Sequence, residues 1–107
     1  MRKLYIVRTT RQFDDIIKTG KCYKNKYFVI YNKDNDLKYD RFGISVTKKL
    51  GNAVFRNKYK RIIRSILDYY KKLYINHKDY IIILRKDAID CDYEKLTNEL
   101  FSLLNHN

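Results

Sequence analysis

The sequence predicts an α+β fold, a single-domain α–β sandwich spanning residues 1–107 in the order α-β-β-α-β-α. Three observations predict it. Phe42, Ile44 and Val46 alternate with Arg41, Gly43, Ser45 and Thr47, the period of a strand with one polar face. From Asn52 to about Asn76 the apolar residues recur at helical spacing instead. Tyr80-Ile-Ile-Ile-Leu-Arg85 is apolar almost throughout, as expected of a central strand covered on both faces. A chain of 107 residues, 45% hydrophobic, can build one modest core around such elements.

The elements follow in order. A short helix is expected from Thr9 to Gly20: Thr9 with Gln12 matches a capping box, Phe13, Ile16 and Ile17 share a face, and Gly20 suits a left-handed C-terminal cap. Lys21 to Lys26 reads as a polar connection. Tyr27-Phe-Val-Ile-Tyr31 is rich in aromatic and β-branched residues and reads as a strand. Asn32 to Asp36 carries turn chemistry, so the strand at 41–47 is expected to be its antiparallel hairpin partner. The long helix begins with Asn52 as cap and presents Phe55, Tyr59, Ile62, Ile63, Ile66, Leu67, Tyr70, Leu73 and Tyr74 in one stripe. Opposite lie Asn57, Arg61, Arg64, Asp68 and Lys72. Asp92 can cap a last helix bearing Tyr93, Leu96, Leu100, Leu103 and Leu104.

Charge narrows the function. There are 24 Lys and Arg against 12 Asp and Glu, a formal +12, which favours a polyanionic partner: nucleic acid or an anionic membrane. Eleven Tyr and five Phe offer faces on which single-stranded bases stack, although many such rings belong to a core. No apolar run approaches a membrane span and none near the start has the length of a secretory signal, so a cytoplasmic protein with no membrane partner is expected. Cys22 and Cys91 lack metal-site spacing and are expected to be reduced thiols.

Seven of the seventeen residues from Lys48 to Arg64 are cationic. Lys48 and Lys49 precede Gly51; Arg56, Lys58, Lys60, Arg61 and Arg64 occupy the first turns of the long helix. A helix N-terminus already favours phosphate, and cations there oppose the dipole, which points to an external anion. An ordinary solvated face would interleave acidic partners four residues away, and Arg56 to Arg64 has none. Gly51 would let a backbone approach closely, and Asn57 can both donate to and accept from a base or ribose.

Phe42-Gly-Ile-Ser-Val-Thr-Lys-Lys-Leu-Gly-Asn-Ala-Val-Phe-Arg-Asn-Lys-Tyr-Lys-Arg-Ile-Ile-Arg64 resembles the signature of the protein subunit of bacterial ribonuclease P. The arginine-rich pattern R-N-x-x-K-R-x-x-R is matched by Arg56, Asn57, Lys60, Arg61 and Arg64. Phe13, Gly20, the Asn25-x-x-Phe-Val-Ile-Tyr31 segment and Asp79 to Arg85 extend the resemblance over nearly the whole chain. It implies a left-handed β-α-β crossover, against the usual preference. It also implies a non-catalytic subunit of an endoribonuclease, whose partners are ribonuclease P RNA and precursor tRNA, with no obligate protein partner. Lys48, Lys49, Arg56, Asn57, Lys58, Lys60, Arg61 and Arg64 would then contact the catalytic RNA. Phe13, Ile17 and Tyr31 would line a cleft for the single-stranded 5′ leader, with Lys48 and Arg64 near its rim. Mg²⁺ would be held mainly by RNA.

Two positions depart from the pattern. Lys58 stands where the family often has Arg, reducing a bidentate phosphate contact to a point charge, and Ile17 replaces an aromatic of some relatives. No nucleophile–base pair presents itself, and His77 and His106 are isolated. Asp34, Asn35, Asp36 and Asp40 lack the Gly and terminal Glu of a calcium loop and read as a solvated hairpin turn, so no catalytic or metal-binding residue is expected. A different RNA-binding module would not require the Phe42–Arg64 order. A metal-dependent nuclease would need clustered carboxylates, and a duplex-DNA reader a partner helix before the long one.

Overall fold

The computed structural model describes residues 5–69 and 76–105. Its elements are α1 (Thr10–Thr19), β1 (Lys21–Lys24), β2 (Phe28–Asp34), β3 (Arg41–Ser45), α2 (Ala53–Tyr69), β4 (Lys78–Leu84) and α3 (Tyr93–Leu104). One mixed four-stranded sheet has the order β1-β2-β4-β3. β4 pairs antiparallel with β2 and parallel with β3, which makes it the central strand its apolar run predicts.

The alternation along each strand sorts the core into two layers. Phe28 and Ile30 of β2, Phe42 of β3 and Tyr80, Ile82 and Leu84 of β4 pack against Tyr59, Ile63, Ile66 and Leu67 of α2 and the leucines of α3. On the other face Ile81 packs with Val7 and Ile16, flanked by Phe13, Tyr31 and Ile83. β4 therefore serves both layers with alternate side chains. Phe42 stacks on Tyr80 with ring centroids 5.2 Å apart and planes 8° apart, fixing β3 beside β4. Burial there pushes the Tyr80 phenol well above its ordinary pKa.

The expected N-terminal caps form. Thr9 and Gln12 make the complete capping box of α1. The Asn52 carboxamide accepts from Phe55 N at 2.9 Å, and the Asp92 carboxylate from Lys95 N at 2.8 Å.

Several expectations change. First, Lys21–Lys24 is a strand, paired antiparallel with β2; it reads as polar because an edge strand exposes most of its side chains. Asn25 closes that hairpin, its Oδ1 accepting from Tyr27 N and Phe28 N while its Nδ2 donates to the Glu99 carbonyl of α3. Second, β2 and β3 are not a hairpin, because β4 lies between them. Third, Gly20 is extended (φ −84°, ψ 172°); a Cβ there would lie 2.5 Å from the carbonyl oxygens of Asn32 and Ile16, so glycine is needed for close approach rather than for handedness. Fourth, the segment after β2 is not a solvated hairpin turn, since Asp40 is fully buried. Of the long helix, positions Tyr70 to Asn76 were also expected to be helical; Asn76 lies in a bend beyond α2, and Tyr70, Lys71, Lys72, Leu73 and Tyr74 lie outside the described residues, as does His106.

Buried carboxylates tie the loop before β3 to the start of β4. Asp79 receives Arg41 Nε at 2.9 Å and Nη2 at 2.6 Å, together with Asn35 Nδ2 at 2.9 Å. This fork-shaped pair holds the Arg41 guanidinium even more firmly protonated than usual. Asp40 accepts from Lys78 N at 2.7 Å and Asn76 N at 3.1 Å. Its pKa is raised by burial, a shift that those two amides oppose. His77 sits between them in the left-handed region (φ 57°), with Nδ1 2.7 Å from the Leu37 carbonyl. Asp40→Ala would strip both amides of their acceptor and should lower unfolding free energy by about 1–3 kcal/mol. Urea denaturation measures this, and an unchanged midpoint would mean that water replaces the carboxylate without cost.

Candidate nucleic-acid interface

The basic cluster is built on a sharp entry into α2. After β3 the chain makes a 3-10 turn at Lys48–Leu50, passes through Gly51 and enters the helix at Ala53. A Cβ on Gly51 would lie 2.5 Å from the Phe55 ring, so this glycine lets Phe55 fold back over the turn. Glycine is thus required by internal packing whether or not anything approaches from outside. The first turn of α2 contains no acidic residue.

Around α2 the cations divide by side. Tyr59, Ile63, Ile66 and Leu67 face the core. Asn57, Lys58 and Arg61 are exposed, as are Lys48 and Lys49 on the preceding turn. Arg56, Lys60 and Arg64 are half-buried along one shoulder, four residues apart. The Nε of Arg56 is buried without a hydrogen-bond partner among the described residues. The eight predicted RNA-binding residues therefore sit on one continuous stretch, although they differ in exposure.

A cleft of about 300 Å³ opens beside that shoulder, lined by Arg8, Phe13, Gly43, Ile44 and Arg64 among others. Its wall depends on the segment before α1. Ile6 bridges to Phe42 in parallel, Val7 N donates to the Phe42 carbonyl at 3.0 Å, and Arg8 is thereby carried to the cleft. Arg8 N donates to Gln12 Oε1, so the box that caps α1 also fixes this turn.

Of the three residues predicted for a cleft between the first helix and the sheet, Phe13 lines it. Tyr31 is half-buried on the same sheet face, in one apolar cluster with Phe13, but does not line this cavity. Cys22, directly across the β1–β2 pair, raises the Tyr31 phenol pKa. Ile17 is 36% exposed on α1 and lies outside the cavity lining. Lys48 is likewise not in the lining, whereas Arg64 is. Cys22 and Cys91 are free thiols, as expected.

Arg8, Gly43 and Ile44 were not singled out from the sequence. Gly43 carried a signal: a glycine on the polar face of an alternating strand marks close approach by another element. A Cβ there would meet Phe13 Cζ at 2.5 Å and Ile81 Cδ1 at 2.8 Å. Arg8 gave none, since only the bridge to Phe42 brings it in.

The arrangement suits RNA. A stripe of exposed cations neutralises phosphates, and an aromatic-floored cleft with guanidinium walls accepts unpaired bases. Among the described residues no three His, Cys, Asp or Glu side chains are grouped to hold a metal ion, and no helix is long and apolar enough to cross a membrane.

Residues 1–107 match the family model described as Ribonuclease P. The ribonuclease P protein component of Mycoplasma mycoides is 42% identical over 105 residues, covering 97% of this chain and 96% of the relative. That of Staphylococcus epidermidis is 45% identical over 107 residues, covering 99% and 89%. The solved structure of the Staphylococcus aureus RNase P protein superposes with a TM-score of 0.86 at 39% identity, covering 94% of this chain and 93% of that one. The Thermotoga maritima RNase P protein gives 0.87 at 34% identity, covering 94% and 96%.

Gly43→Ala should push the Phe13 ring off the sheet and destabilise the protein by about 1–3 kcal/mol. The same change in a Phe13→Ala background should cost clearly less, because the obstructing ring is gone. Thermal unfolding of the four proteins tests this, and additive losses would show that Phe13 does not limit the site.

Proposed function

The chain belongs to the ribonuclease P protein family, and from that premise we propose that it binds two RNAs on two adjoining surfaces. The exposed side of α2 with the turn before it (Lys48, Lys49, Arg56, Asn57, Lys58, Lys60, Arg61 and Arg64) docks on the RNA subunit. The cleft beside α1, with Phe13 in its wall and Tyr31 and Ile17 on the neighbouring surface, takes the single-stranded 5′ leader of precursor tRNA. The protein thereby assists endonucleolytic removal of the leader, and the RNA subunit carries the chemistry.

The observation that carries this reading is the position of Arg64. It stands on the basic helix and also lines the cleft that contains Phe13. A strand lying in that cleft would run beside the docking face, so leader and RNA subunit share a boundary rather than compete for one surface. Cations on α2 lower the repulsion between the two polyanions. The amides of its first turn add a further attraction for phosphate.

Mg²⁺ in the assembled enzyme is assigned mainly to RNA ligands, where it supplies charge stabilisation for phosphodiester hydrolysis. The scattered carboxylates of this chain fit that division of labour, since Asp40 and Asp79 are buried and committed to Lys78 N, Asn76 N, Arg41 and Asn35. The proposed place of action is the cytoplasm.

Arg61→Glu with Arg64→Glu should weaken binding to a ribonuclease P RNA and flatten its salt dependence, by up to about 0.9 log units of slope for each duplex phosphate no longer neutralised. Affinity titrations across a salt series measure this; an unchanged slope would make the face merely solvated. Tyr31→Ala should weaken precursor tRNA in the reconstituted complex much more than mature tRNA, because only the precursor carries a leader. Equal losses would place the leader elsewhere.

A further inference from the structure

A second depression lies on the outward face of α2, adjoining the shoulder that carries Arg64. It measures about 430 Å³ and is lined by Arg61, Arg64, Ser65, Asp68 and Tyr69. Tyr69 is 83% exposed, the most exposed large hydrophobic side chain among the described residues. No ring, cation or hydrogen-bond partner engages it among those residues.

Arg61, Ser65 and Tyr69 follow one another at intervals of four, so they form a row along the helix. The small residue in the middle leaves a gap between a guanidinium and an aromatic ring. Ser65 Oγ lies 3.0 Å from the hydroxyl of Tyr93 at the start of α3, which ties this side of the row to α3. Tyr93 is itself 46% exposed, so a second large exposed ring borders the row through Ser65. Two guanidinium groups against one carboxylate leave the depression positive.

We infer that Tyr69, Ser65, Arg61 and Arg64 form a stacking shelf for an unpaired base of the RNA subunit. The inference rests on the reading of α2 as the docking face for that RNA, and names a contact beyond its cationic stretch. A nucleobase presents a π-face to the Tyr69 ring while its phosphate reaches the arginines, whichever base it is. The row faces the α3 side of the helix, whereas the cleft lies on the α1 and β3 side. Only Arg64 touches both, so the shelf continues the RNA-subunit surface rather than the leader path.

The test uses the full chain and a ribonuclease P RNA, comparing Tyr69→Ala, Tyr69→Phe and Tyr69→Trp over a salt series. Loss of one stacked base should reduce affinity roughly five- to a hundred-fold in the alanine variant. The slope against salt should stay as in the parent, because stacking releases no counterions. Phenylalanine and tryptophan should retain affinity. Parent-like binding by the alanine variant, or equal losses in all three variants, would overturn the shelf. So would an intact affinity for the RNA subunit with selective loss of precursor over mature tRNA, which would assign Tyr69 to the leader. Replacement of Arg61 and Arg64 in the same series reads separately whether the face binds RNA at all: a fallen slope there with an indifferent Tyr69 rejects only the shelf.

Discussion

The position of β4 is the constraint on which the molecule depends. It accepts β2 on one edge and β3 on the other, and it buries side chains toward both layers. Because β3 and β4 run parallel, the chain must travel the length of the sheet between them, and α2 makes that journey. The basic helix is therefore laid across the sheet by the pairing of two strands. Its apolar stripe has one place to go, and its cations are left facing outward.

The same pairing creates the cleft. β3 is the last strand of the sheet, and its outer edge meets the segment that leads into α1. Phe13 comes down over Gly43 because no side chain blocks it there. Arg64 closes the opposite side from α2. Three regions of the chain that are far apart in sequence thus meet along the middle of one strand. Asp40 and Asp79 hold the start of that strand, where the loop before β3 is fastened to the start of β4 by charge-assisted bonds.

Charge and packing are segregated in a way that suits assembly with RNA. No acidic residue falls within the helix stretch Arg56 to Arg64, and among the described residues Asp68 is the one carboxylate lining the depression beside Arg61 and Arg64, so the stretch keeps a net positive charge for a partner. The buried carboxylates Asp40 and Asp79 are engaged internally. Rigidity beneath the basic face comes from aromatic and aliphatic contacts, which do not compete for phosphate.

The sequence by itself determined the helix N-caps, the apolar stripe of α2, the central character of β4 and the run of cations, because each depends on residues close together in the chain. The resemblance to a known family was carried by the same local order. Several things were decided only by tertiary structure. β1 was hidden because an edge strand need not be apolar. β2 and β3 looked like hairpin partners because adjacent strands usually pair, and nothing local announces that a later strand will insert between them. Asp40 read as solvated turn chemistry until two distant amides were brought to it. At the site, Phe13 and the α2 cations were legible, while Arg8, Ile44 and the Tyr69 row acquired meaning from their neighbours in space. Periodicity and capping are properties of a segment; pairing order, burial of a charge and the shape of a cleft are properties of how segments meet.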